Sequence, residues 1–102
     1  MKHSKLFIFA IMTTLAVSGC KHQAATYPTD TLTTKNGSQL TITFFKHASL
    51  AIETEGRHIY IDPISQYADY ASLPKADLIL ITHSHYDHLD SAAVAALSTA
   101  GT

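Results

Sequence analysis

At 102 residues the chain has room for one domain at most. Its 46% hydrophobic and 15% charged content, with 4 Gly and 3 Pro, excludes a collagen-like, disordered or multi-span membrane protein. A formal net charge of −1 with no basic block leaves no electrostatic footprint for nucleic acid, and no nucleic-acid partner is expected. Histidine is the outlier at 7, and three of the seven fall between positions 83 and 88.

Residues 1–19 read as an export signal. Lys2 and Lys5 charge the start, and Leu6–Val17 is an apolar run. That run is shorter than the roughly 20 residues a permanent membrane helix needs. The small residues Val17, Ser18 and Gly19 lead into Cys20, the only cysteine, so no internal disulfide can form. This junction resembles the bacterial lipobox, in which the cysteine becomes the first mature residue and is acylated. The resemblance implies an exported, lipid-anchored protein, with the membrane as a partner through Cys20. With Lys21 rather than Asp next, it implies the outer membrane facing the periplasm if the source is Gram-negative. A plain signal peptide with a chance cysteine, or a buried N-terminal helix, is the alternative. Residues 20–37 are polar, Thr-rich and without periodicity, and read as a tether ending in the turn signal Asn36-Gly37. The folded part is expected over residues 38–102, few enough that a core is hard to build.

That part reads as strands followed by a helix, an α/β arrangement. Gln39–Lys46 alternates, with Leu40, Ile42 and Phe44 on one face; Ala48–Thr54 alternates with Leu50 and Ile52 inward. Glu55-Gly56 is a two-residue turn into Arg57–Asp62, where Ile59 and Ile61 point inward and Pro63 ends the strand. Ile64–Lys75 is an irregular loop. Leu78–Ile81 is an unbroken aliphatic run, the pattern of a strand covered on both faces. An alanine-rich helix follows, capped by Asp90 or Ser91, with Val94 and Leu97 on one side.

The chemistry lies in His83-Ser84-His85-Tyr86-Asp87-His88. Imidazole nitrogens and a carboxylate suit zinc first, with manganese or iron as alternatives. His83 and His85 stand two apart at a strand end, so they project to the same side and can grip one ion. For Asp87 and His88 to join them, the backbone must turn at Tyr86–Asp87 and run into the helix. A strand end leading to a helix N-terminus is where open α/β sheets place their sites. The bland alternative is a loop of solvated histidines, which suits a lone histidine better than three with an aspartate.

LILITHSHYDHLD resembles the signature of the metallo-β-lactamase-fold hydrolases, and TITFFKHASLAIETEGRHIYIDP followed by LPKADLILITH agrees with it. The chain is similar to the branch that includes ascorbate-phosphate lactonases and N-acyl phosphatidylethanolamine phospholipase D-like enzymes. The resemblance covers Gln39 to about Ala100. It implies an αββα sandwich, of which this chain holds only the N-terminal strands and first helix. It also implies two divalent metal ions, with His83 and His85 on the first and Asp87 and His88 on the second. Asp87 would in addition position the attacking water as a catalytic residue. Asp62 matches the buried aspartate that supports the ligand loop, or is simply a turn residue before Pro63. His47 matches a histidine of this branch that usually follows glycine, where Lys46 stands here, and reads as a supporting or a structural residue. His58 reads as a surface residue.

A metal-dependent hydrolase acting on an ester, lactone, amide or phosphodiester of small-molecule or lipid-like character is the implied function. Two catalytic ions need more protein ligands than these four residues supply. His22 lies on the tether, so only His47 or His58 could add to them. The chain is therefore expected to be the N-terminal portion of a larger hydrolase, with a non-catalytic metal-binding lipoprotein or a nonfunctional fragment as alternatives.

Overall fold

The computed structural model describes residues 25–102, and within them five strands pair in chain order: β1 (Thr29–Thr33), β2 (Gln39–Lys46), β3 (Ser49–Thr54), β4 (Arg57–Ile61) and β5 (Leu78–Leu80). The first four form an antiparallel meander because two-residue or slightly longer turns join them. Glu55 and Gly56 have φ of 50° and 73°, as the type I′ turn between β3 and β4 requires. Strand β5 lies parallel to β4, reached by a crossover through residues 62–77 that contains a single 3₁₀ turn at Tyr70–Ser72. Helix α1 (Ser91–Leu97) begins at Asp90, whose carboxylate accepts from the Ala92 and Ala93 N–H groups. Asp90 is thus the N-cap, one of the two residues foreseen. The second Asp90 oxygen accepts from the Ser65 N–H at 2.7 Å and ties the crossover to the helix start.

Residues 29–33, expected in the tether, are instead a strand. All five side chains of TDTLT are exposed, so no apolar alternation marks them. What holds them is the antiparallel ladder to β2, helped by the Thr31 and Thr41 hydroxyls 3.3 Å apart. The Asn36-Gly37 signal marks the hairpin that returns this edge strand onto the sheet, with Gly37 at φ 86°. The stretch expected to be an export signal lies outside the described residues, as do Cys20 and His22.

Among the described residues the buried cluster sits on the opposite sheet face from the one expected. Tyr60, Ala68, Tyr70, Ala76, Ala93 and Leu97 are buried together, and Phe45, Ala51 and Ile79 pack against them. Phe45 meets Tyr27 and Tyr70 edge-on at 4.8 and 5.4 Å between ring centroids, and the buried Tyr60 hydroxyl donates to the Pro74 carbonyl at 2.7 Å. Burial, with Tyr70 and Glu53 nearby, pushes the Tyr60 phenol up to about 12. Cross-strand register puts Leu40, Ile42, Phe44, Leu50, Ile52, Ile59, Ile61, Leu78 and Leu80 together on the other face. They do share a face, as the alternation requires. Helix α1 and the crossover, however, build the core on the other side, leaving Phe44, Leu78 and Leu80 40%, 45% and 46% exposed. Among the described residues strand β5 is covered on one face only, by α1 and the crossover. In α1 the buried pair is Ala93 and Leu97, four apart, with Val94 only partly buried.

Candidate metal centre

Strand β4 ends at Ile61, and the next residue, Asp62, is fully buried with a left-handed φ of 44°. Its N–H donates to the Leu80 carbonyl at 2.9 Å, extending the β4–β5 pairing by one residue, and its carbonyl accepts from the Ser49 hydroxyl. These contacts aim the carboxylate at the segment leaving β5. Asp62 Oδ1 accepts from the Thr82 N–H at 2.7 Å, and Oδ2 accepts from the Thr82 hydroxyl at 2.6 Å and from His88 Nδ1 at 2.8 Å. Burial by itself opposes ionisation of this carboxyl. The donors of Thr82 and His88 outweigh it and hold Asp62 below its usual range.

This arrangement sets the tautomers. An ionised carboxylate only accepts, so His88 carries its proton on Nδ1 and turns Nε2 outward as a lone pair. The Thr82 hydroxyl spends its one hydrogen on Asp62 and accepts from His83 Nδ1 at 2.9 Å, which leaves His83 Nε2 likewise free to coordinate. Thr82 was not singled out in the sequence, although a hydroxyl between an aliphatic strand and the first histidine was the available signal.

The backbone turns where it has to. The His88 and Leu89 N–H groups both donate to the His85 carbonyl at 2.9 Å, folding residues 85–89 into the approach to α1. Tyr86 points out at 90% exposure, while Asp87 and His88 turn in. The result is two groups of donor atoms, each within 4.8 Å: His83, His85 and Asp87 in one, and His47, Asp87 and His88 in the other. Asp87 is common to both. The ring centroids of His83 and His88 are 3.9 Å apart, so the two groups adjoin. Nitrogen and carboxylate donors in sets of three fit a borderline divalent ion.

Of the residues expected from the sequence, His83, His85, Asp87 and His88 are brought together, and Asp62 lies behind them. His47, expected to support the site from outside or to be structural, places Nε2 3.3 Å from His88 Nε2 and 3.2 Å from Asp87 Oδ2. His58 belongs to neither group. It is half-buried rather than a plain surface residue, and its backbone pairs with Asp77. A small cleft of about 150 Å³ beside Asp87 is lined by Ile64, Gln66, Tyr67, Tyr86 and Asp90.

Comparison with known proteins gives a consistent picture. The family profile described as beta-lactamase superfamily domain matches residues 41–99. A UPF0173 metal-dependent hydrolase of Flavobacterium johnsoniae is 51% identical over 53 residues, covering 47% of this chain and 24% of that protein. A UPF0173 metal-dependent hydrolase of Bacillus pumilus is 41% identical over 51 residues, covering 46% of this chain and 22% of that protein. A crystal structure from Parabacteroides distasonis, of a protein named as a metal-dependent hydrolase, superposes with a TM-score of 0.74 at 49% identity, covering 76% of this chain and 35% of its own. The chain thus spans about a quarter of the length of the curated relatives it matches. The mixed five-stranded sheet with its helix matches a part of the metallo-β-lactamase-like α/β fold.

Proposed function

The chain belongs to the beta-lactamase superfamily, and from that premise we propose that it is the N-terminal portion of a metal-dependent hydrolase acting on an ester, lactone, amide or phosphodiester. The observation that carries this reading is the convergence of His83, His85, Asp87 and His88 at the strand ends, with the Nε2 lone pairs of His83 and His88 turned outward by Thr82 and Asp62. These side chains would hold two divalent ions, zinc first, with manganese or iron as alternatives. Bound there, such ions polarise a carbonyl or phosphoryl oxygen and lower the pKa of water to supply the nucleophile.

The residues of the chain do the rest by position. His83 and His85 hold one side of the centre and His88 the other. Asp87, between them, can accept a hydrogen bond from the attacking water and orient it. Asp62 keeps the His88 ring in one tautomer and one orientation, as a carboxylate behind a metal-binding histidine does. Substrate would approach over Tyr67 and Tyr86, whose cleft adjoins Asp87. The test is hydrolysis of a chromogenic ester and a chromogenic phosphodiester by the gene product with whatever in-frame sequence follows codon 102. Turnover should require added metal and vanish in His85→Ala. Full activity in that variant overturns the assignment.

We further propose that the protein is exported and held at a membrane through acylated Cys20. Incorporation of labelled fatty acid should disappear in Cys20→Ala. A variant still labelled and still sedimenting with membranes contradicts the anchor.

A further inference from the structure

We propose that His47 is itself a metal ligand, the third protein donor beside Asp87 and His88 at the second ion. This inference rests on the metal-binding reading above, and three observations carry it.

The first is the shape of the donor triangle. His47 Nε2, His88 Nε2 and Asp87 Oδ2 are separated by 3.3, 3.2 and 3.6 Å. Zinc bonds of about 2.0–2.1 Å in a tetrahedron put the donors about 3.3–3.4 Å apart. The three atoms therefore already occupy the corners of one tetrahedral face. A fourth position remains open on the far side of that face.

The second is the set of partners. His88 Nε2 is a lone pair because its other nitrogen donates to Asp62. It faces the Asp87 carboxylate, another acceptor, so the pair needs positive charge between them. His47 joins at that point, and among the described residues its side chain has polar contacts with His88 and Asp87 alone. A structural histidine would be buried and bonded to the framework, whereas this side chain is 48% exposed.

The third is the backbone. His47 and Ala48 form the tight turn between β2 and β3, and His47 has φ 56°. That conformation costs a non-glycine residue about 1–2 kcal/mol, and turn chemistry alone would place Gly, Asn or Asp there. A register irregularity between Phe44 and Lys46 precedes it, the kind of bulge that re-aims a side chain. The strained turn points His47 across to residues forty positions downstream. His47 thus supplies the ligand that the linear motif lacks, and Asp87 serves both ions.

Cobalt(II) titration of the full chain in detergent tests this, with Cys20→Ser common to all variants to remove a thiolate. The parent should take up two ions with the visible absorption of low-coordinate cobalt. A direct ligand should matter at least as much as the supporting groups whose loss costs about 10–100-fold, so His47→Ala should weaken one ion at least tenfold and leave the other unchanged. His83→Ala should weaken the complementary ion. His47→Gly should lose the same ion while raising the metal-free thermal midpoint, because it relieves the turn. A structural role would not produce that combination. Two ions bound at parental affinity in both His47 variants overturn the ligand and leave the metal centre standing. A parent chain that takes up no cobalt overturns both.

Discussion

His88 Nδ1 and the fully buried Asp62 Oδ2 are 2.8 Å apart, a contact that joins the end of β4 to the end of the histidine loop. It converts a flexible imidazole into a ligand of fixed tautomer. Asp62→Asn keeps the volume but weakens the hold on that ring and sets an amide against the Thr82 N–H. Metal affinity should fall about 10–100-fold, read by competition with a chromophoric chelator. Unchanged affinity would mean that His88 is oriented by something else.

Thr82→Val probes the other half of the same arrangement. It removes the hydroxyl that donates to Asp62 and accepts from His83. Leaving a buried carboxylate oxygen short of one donor should cost about 1–3 kcal/mol in urea unfolding. The ion held with His83 should weaken more than the one held with His88, a split that metal titration resolves.

Asp90 caps α1 and binds the Ser65 N–H, and that N–H with the helix N–H groups of Ala92 and Ala93 holds its carboxyl below the usual range against the opposing effect of burial. Asp90→Ala should cost about 1–2 kcal/mol at neutral pH. Because the folded pKa lies below the unfolded value of about 3.9, the stabilisation is complete above that value and disappears as pH falls through the folded pKa. Urea midpoints of the parent and Asp90→Ala, separate at pH 7, should draw together as the pH is lowered through the folded pKa of Asp90. A constant gap would show that the charge contributes nothing.

Leu97 and Leu80 test where the core lies. Leu97 is fully buried among Tyr60, Tyr70 and Ala76, so Leu97→Ala should cost about 2–5 kcal/mol. Leu80 is 46% exposed among the described residues, and in the 102-residue chain Leu80→Lys should change stability by roughly 0.5 kcal/mol or less while reducing self-association through the exposed aliphatic face. Light scattering and urea melts on the two variants give the contrast. Equal, large losses would place a covering layer over both faces.

Much of the molecule was legible from residue order because it depends on neighbours. Alternation located β2, β3 and β4, Glu55-Gly56 located the turn between two of them, and Asp90 before an alanine run marked the helix start. His83, His85, Asp87 and His88 stood out as ligand chemistry concentrated in six residues at a strand end, with spacing that pairs His83 and His85 and a turn needed for the other two, and the family followed from the same stretch. What tertiary structure alone decided were contacts between segments far apart in the chain. Period-two alternation says which side chains share a face but not which face meets α1, so the aliphatic side was read as inward while the cluster buried among the described residues lies on the other. Thr29–Thr33 carries no buried side chain and is held by backbone hydrogen bonds, which leave no mark on composition. His47 reaches Asp87 and His88 only because a left-handed turn and a bulge aim it there, and the partner of such a side chain is set by the path of the backbone between them.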